Sequence, residues 1–238
     1  MKLDILVLSA HPDDAELGCG GTILKHVSMG HKVGVVDLTR GELGTRGTPE
    51  TREKEATDSA RILGLAVREN LGLPDGFFVN EREHQLEVVK AIRKYQPDII
   101  LANARYDRHP DHGRGSELAF EASFLSGLAK VKTAVDGKEQ QSWRPKVLYH
   151  YIQSLLIVPD FVVDVTDFWE KKMDAIRAFR TQFYDPNSKE PDTFISSPAF
   201  MKLLDSRGNE FGHAIGVKYG EGYTVRRFIG VNSLTDLR

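Results

Sequence analysis

Two short segments hold the residues best suited to chemistry. "HPDD" contains His11, Asp13 and Asp14, and "HPDH" contains His109, Asp111 and His112. Both combine imidazole nitrogens with carboxylate oxygens. His11 and Asp14, in an H-x-x-D arrangement, suit Zn²⁺, which in catalytic sites usually takes three protein ligands and keeps one position for water. The third ligand must then come from elsewhere in the chain, and His109, His112 or both are available. Spacing alone does not choose between them. Fe²⁺, Mn²⁺ and Co²⁺ stay open, because metal supply selects the ion as well as affinity.

Two plainer readings compete. One aspartate of the first segment could cap a helix starting near Ala15, with Glu16 favoured by the helix dipole. That role uses one carboxylate and leaves His11 and the other unexplained. A phosphate loop is disfavoured: Gly18, Gly20 and Gly21 follow the polar cluster and do not form G-x-G-x-x-G, and no G-x-x-x-x-G-K-[ST] occurs. There is no G-x-S-x-G nucleophile elbow either. Cys19 lies inside a helix pattern and reads as a small packed residue. His26, His31, His84, His150 and His213 carry no ligand spacing, and packing is the expectation for His213. Gly212, Gly216, Gly220 and Gly222 are assigned to turns.

These segments need elements to bring them together. Apolar runs at 3–10, 32–39, 97–104, 146–152 and 161–165 predict strands, with a weaker one at 67–73. Near-continuous apolarity predicts strands covered on both faces. Helix patterns fall between them at 15–30, 48–64, 81–96, 112–127 and 167–183. Thr48 followed by Pro49, and Gly64 at the far end, bracket the second of these. The alternation predicts an α/β fold, a single domain over 1–238 with a mainly parallel sheet and helices on both faces. In such sheets ligands bind beyond the carboxyl ends of the strands. HPDD, "TRGELGTRG" and HPDH each follow a predicted strand there. The turn-rich segment 184–212, with a short helix near 197–206, reads as a connection or a lid.

Composition narrows the partners. The apolar fraction of 40% and charged fraction of 28% suit a globular protein with a buried core. A net charge of −2 without a basic cluster argues against nucleic acid. The single cysteine excludes an internal disulfide and fits a reducing, cytoplasmic setting. The apolar N-terminal run is too short for a membrane span and has no cleavage site, so neither a membrane nor a signal peptide is expected.

Taken together, "HPDDAELGCGG", "TRGELGTRGTPETREKEA" and "RHPDHGRGSEL" resemble the PIG-L/LmbE family of zinc-dependent N-acetylglucosaminyl deacetylases. "FGHAIGVKYGEGYTV" and "FVVDVTDFWEKKMDAIRAFRTQF" look like its bacillithiol-biosynthesis branch, which deacetylates N-acetylglucosaminyl-malate. The resemblance spans nearly the whole chain. It implies a Rossmann-like, LmbE-like fold and a small-molecule sugar substrate. It implies zinc held by His11, Asp14 and His112, with Asp13 as general base. His109 would be the acid or electrostatic stabiliser and Asp111 its orienting partner. Arg52 and Glu42 would face the substrate. A homo-oligomer is implied by resemblance alone. Some relatives carry a tyrosine two residues before the first histidine of HPDH. This chain has Asp107 there and Tyr106 one place earlier, so no tyrosine is assigned to the oxyanion. The alternatives are another conjugate or a chito-oligosaccharide, a different hydrolysis at the same metal, and a non-catalytic metal- or sugar-binding protein. The last is disfavoured by the presence of Asp13.

Overall fold

The first two strands, β1 (Ile5–Ser9) and β2 (Val33–Thr39), are buried along their whole length. Their side chains alternate between two cores. Ile5 and Val7 pack with Ala15, Cys19 and Ile23 of α1 (Asp14–Ser28), while Leu6 and Leu8 face the opposite side. That is why the runs lack polar alternation: neither face of the strand meets water. The computed structural model describes residues 1–236. Among them no helix is long and apolar enough to cross a membrane.

The remaining elements follow the βα rhythm. They are α2 (Pro49–Leu63), β3 (Val67–Leu73), α3 (Arg82–Tyr95), β4 (Ile99–Ala102), α4 (Pro110–Ser126), β5 (Ala134–Val135), β6 (Lys138–Glu139), β7 (Val147–Tyr151), β8 (Phe161–Asp164), α5 (Trp169–Arg177), α6 (Pro198–Ala214) and β9 (Gly220–Val225). The sheet order is β3-β2-β1-β4-β7-β9-β8, with β5 and β6 forming a separate hairpin. The strands from β3 to β7 are parallel, and β9 is antiparallel to both β7 and β8. Val88 and Ile92 of α3 and Leu118 and Ala122 of α4 cover one face, while α1 and α5 cover the other. The order turns outward on either side of β1, so the crevice beyond β1 and β4 is the position where such sheets take ligands.

The predicted boundaries of α2 hold. Thr48 and Thr51 form a reciprocal capping box, Pro49 opens the helix, and Gly64 ends it with φ 71°. Three expectations change. The helix predicted over 167–183 ends at Arg177. The short helix near 197–206, capped by Ser197, runs to Ala214 and leaves His213 exposed in its last turn, not packed. Gly212 lies within α6, and Gly220 and Gly222 stand in strand β9, not in turns. A Cβ on Gly220 would lie 2.5 Å from Val162, and one on Gly222 2.9 Å from the Phe211 ring. These glycines allow α6 and β8 to close on the strand, a use that composition makes look like a turn.

Gly18 has a similar role on α1, where a Cβ would sit 2.2 Å from the Tyr151 ring. Gly18→Ala is expected to destabilise the fold by about 1–3 kcal/mol through overpacking. Denaturant unfolding measures this, and an unchanged midpoint would contradict the close approach.

Candidate metal centre

HPDD and HPDH meet because β1 and β4 are parallel neighbours, with Leu8 paired to Ala102. The chain leaves both strands at the same sheet edge. After β1 it turns through His11, Pro12 and Asp13 and enters α1 at Asp14. After β4 it passes through Arg105–Asp107 and enters α4, with His109 as N-cap. Asn103, just past β4, ties the two exits together. Its side-chain carbonyl accepts from the Ala10 N–H at 2.8 Å, and its amide donates to Asp14 Oδ2 at 3.0 Å.

Asp14 is the centre of the cluster. Its Oδ1 lies 3.1 Å from His112 Nε2, and its Oδ2 lies 3.5 Å from His11 Nδ1. Ligands of one tetrahedral zinc, at bonds of about 2.0–2.2 Å, stand about 3.3–3.6 Å apart. Each of the two Asp14–histidine distances is close to that spacing, while the three-histidine group of His11, His109 and His112 has its donor atoms mutually within 4.8 Å. The opposite nitrogen of each histidine rests on a carboxylate: His112 Nδ1 on Asp107 at 2.6 Å, and His11 Nε2 on Asp75 at 3.0 Å and Asp111 at 3.2 Å. Carboxylates behind metal-bound imidazoles fix ring and tautomer in this way. A ring nitrogen of His109 also lies within ligand distance of His11 and His112, as do carboxylate oxygens of Asp75 and Asp111 to His11.

Burial opposes charge on His11, yet hydrogen bonds to Asp111, Asp14 and Asp75 hold its pKa well above the ordinary value. Burial likewise opposes charge on His112, and the Asp14 carboxylate and Asp107 push it up to about 9. Asp14, despite burial, is held well below the usual range by His112 and His11. The upward shifts of both rings come from the carboxylates of Asp14, Asp107, Asp75 and Asp111 packed around them. Metal binding would displace the imidazolium protons, since ligand imidazoles are neutral.

Asp13 differs. It is the residue before α1 and has φ 129°, a conformation that costs a non-glycine residue about 1–3 kcal/mol. Its Oδ2 is 3.1 Å from Arg52 Nη2, and burial pushes its carboxyl up to about 7 although Arg52 acts to lower it. This carboxylate lies beside the histidines without bonding to either among the described contacts.

Comparisons with known proteins now identify the relationship. Residues 6–123 match the family described as PIG-L: GlcNAc-PI de-N-acetylase. The chain is 32% identical over 230 residues to the diacetylchitobiose deacetylase of Thermococcus kodakarensis, covering 92% of this chain and 81% of that protein. The chain belongs to the PIG-L family. It is also similar to a conserved protein from Thermus thermophilus, with 36% identity, a TM-score of 0.85 and coverage of 97% of this chain and 98% of that one. A probable N-acetyl-α-D-glucosaminyl L-malate deacetylase of Bacillus anthracis is 26% identical, over 75% of this chain and 81% of that protein. The PIG-L deacetylases are hydrolases acting on amide bonds, and this chain is an enzyme of that kind.

The cavity over this cluster has a volume of about 290 Å³. His11, Asp13, Asp14, His109 and His112 form its floor, and Leu43, Gly44, Asp75, Gly76 and Arg108 line it from the loops. Ile195, Phe200 and Leu204 close it from the 184–212 segment, which is therefore a wall of the site. Glu190 and Ser188 fasten that segment to the buried Arg46 at 3.3 and 2.5 Å.

Two expected roles are corrected. Asp111 does not orient the His109 ring. Its carboxylate lies on His11, the Gly76 N–H and Arg114, and only its backbone N–H reaches His109 Nδ1, at 3.3 Å. Residues two apart at a helix start project to different sides, so the spacing could not produce the expected pair. With Nδ1 accepting, neutral His109 carries its proton on Nε2. Burial and the charges of His11 and His112 lower its pKa. Arg52 lines the cavity, and its guanidinium bonds Asp13, the Pro12 carbonyl at 2.7 Å and the Gly41 carbonyl at 3.2 Å, leaving Nε without a partner among the described residues. Glu42 does not line the cavity; it is exposed and accepts from the Asp75 N–H at 2.8 Å.

Sequence reasoning missed Asp75, Gln153 and the supporting role of Asp107. Gln153 donates to Asp14 Oδ1 at 2.9 Å. Asp107 had a signal, since it replaces a tyrosine of some relatives. Asp75 and Gln153 had only their places just after strands β3 and β7.

Proposed function

We propose that this enzyme is a zinc-dependent deacetylase that removes the N-acetyl group from an N-acetylglucosamine conjugate with an anionic aglycone, such as the malate of bacillithiol biosynthesis. One observation carries the reading: Asp14 lies between two carboxylate-backed histidines, with the separate carboxylate of Asp13 on the same turn.

His11, Asp14 and His112 would hold the ion. When bound, zinc polarises the acetamide carbonyl and makes water a better nucleophile. Asp13 takes a proton from the attacking water, while Arg52 holds its other oxygen. His109 Nε2–H donates toward the acetamide oxygen as negative charge grows there. The proton on Asp13 passes to the leaving nitrogen as the C–N bond breaks, giving acetate and a free amine. Leu43, Ile195 and Phe200 narrow the access of bulk water.

Arg108 supports the anionic aglycone. It lines the cavity, is exposed, and stacks 4.5 Å over the Phe194 ring, with no salt bridge among the described residues. A neutral disaccharide is the second reading, favoured by similarity to the Thermococcus kodakarensis enzyme.

Acetate release by the zinc-loaded enzyme from N-acetylglucosaminyl-malate, diacetylchitobiose and N-acetylglucosamine tests both. The malate conjugate is expected to be turned over most efficiently. Arg108→Gln should raise its KM about ten-fold, the size of one charge-assisted contact, with a smaller effect on diacetylchitobiose. An equal effect on both substrates would favour the neutral reading. No acetate from any of them, with zinc bound, would remove the deacetylase assignment.

A further inference from the structure

Helix α1 is broken, and an ion pair fills the break. In an unbroken helix the N–H groups of Gly21 and Thr22 would bond to the carbonyls of Leu17 and Gly18. Cys19 has φ −144° and ψ 19°, outside the helical range. The two N–H groups donate instead to Glu221 of β9, at 2.8 and 2.7 Å. The Leu17 carbonyl accepts from the Lys172 ammonium of α5 at 2.9 Å. That ammonium lies 2.7 Å from Glu221 Oε1.

Both side chains are buried, with exposures of 4% and 2%. A buried ion pair is a poor source of stability, because an apolar pair of similar volume often does as well. This pair has a more specific consequence. It separates the first turn of α1 from the rest of the helix and holds that turn from outside. The turn carries Asp14 and the cavity residue Leu17. Leu17 in turn donates its N–H to the Asp13 carbonyl at 3.0 Å. Hydrogen bonds therefore run from Lys172 to the Leu17 carbonyl, and from the Leu17 N–H to the Asp13 backbone carbonyl. The glycines after the HPDD motif make room for the ion pair. A Cβ on Gly20 would stand 3.2 Å from Lys172 Cγ, and one on Gly21 2.7 Å from Val165 Cβ and 3.1 Å from Glu221 Oε1.

We propose that Glu221 and Lys172 are positioning residues: by taking over the hydrogen bonds broken at Cys19, they set where Asp13 and Asp14 stand relative to the metal. The proposal rests on the zinc deacetylase reading above. Neither residue touches the cavity floor, so the effect must pass through the α1 turn.

The test compares full-length wild type with Glu221→Gln and with the charge-free double variant Lys172→Met/Glu221→Gln. Zinc affinity is read by competition with a chromophoric chelator, alongside kcat, KM and thermal unfolding. Misplaced ligands are expected to weaken zinc binding by about ten-fold or more and to lower kcat. KM should change less than about two-fold, because loops and α6 form the substrate walls. A pair that serves stability alone would lower only the melting temperature. Zinc affinity and kcat within two-fold of wild type in a folded variant would overturn the proposal. Should the double variant fail to fold, Glu221→Gln, which keeps shape and one acceptor, decides it. A wild type that binds zinc but releases no acetate would refute the functional reading, and the zinc titrations would still decide the positioning role.

Discussion

Asp13→Asn is expected to lower kcat by about 10²–10⁴-fold while zinc stays bound. Asparagine keeps the size of the side chain and tolerates positive φ, but it cannot accept the proton of water. The three histidines and Asp14 do not depend on the Asp13 carboxylate for any described contact. Zinc content and acetate release from the same preparation measure the two halves of the prediction. Near-full turnover with zinc present would show that another group is the base.

The same carboxyl predicts two pH effects. Burial raises it from 3.8 to about 7, with Arg52 lowering it and Asp14 raising it. As a base it must be ionised, so kcat/KM should rise with pH, and the added charge of zinc moves that limb below 7. The stability effect has the opposite sense. A carboxyl whose pKa is raised by folding favours the folded state when protonated, and that contribution is lost as pH rises from about 4 to about 7. Asp13→Asn should therefore stabilise the metal-free protein at pH 8, on the order of 2–4 kcal/mol, with the gain shrinking toward pH 4. Denaturant unfolding at the two pH values tests this. An equal difference at both would place the titration elsewhere. A strained, buried carboxylate at this position is a stability cost, and the proposed role as general base accounts for it.

Asp14→Ala is expected to abolish metal binding and activity together, and to destabilise the metal-free fold by about 3–5 kcal/mol. It removes the acceptor for the His11 N–H, Asn103 and Gln153, and leaves charged His11 and His112 buried without their shared partner. Asp14→Asn keeps the shape and separates the two effects. Elemental analysis after dialysis reads the metal. Stoichiometric zinc in folded Asp14→Asn would assign the ion to the three-histidine group of His11, His109 and His112.

The local elements were legible in the sequence because their signals are local. Thr48, Pro49 and Gly64 mark α2 through capping and left-handed backbone geometry. Double-sided burial makes β1 and β2 uniformly apolar. Parallel neighbours β1 and β4 carry HPDD and HPDH to one edge, so alternation of strands and helices was enough to anticipate that the two segments meet, while the choice of His112 over His109 came from the resemblance alone.

Which carboxylate backs which histidine was decided only by the tertiary structure. Asp111 lies two residues from His109 in the chain but on His11 in space, because the start of α4 turns its side chain toward the β1 exit. Asp75, Gln153 and the α6 wall reach the cavity from segments with no distinguishing pattern of their own. Glycines 220 and 222 looked like turns and proved to be packing sites in β9, beside the Glu221 that holds α1. Capping and hydrophobic periodicity act over a few residues and are written in the chain locally. The partner of a buried charge depends on which distant element arrives beside it, and only the packed fold determines that.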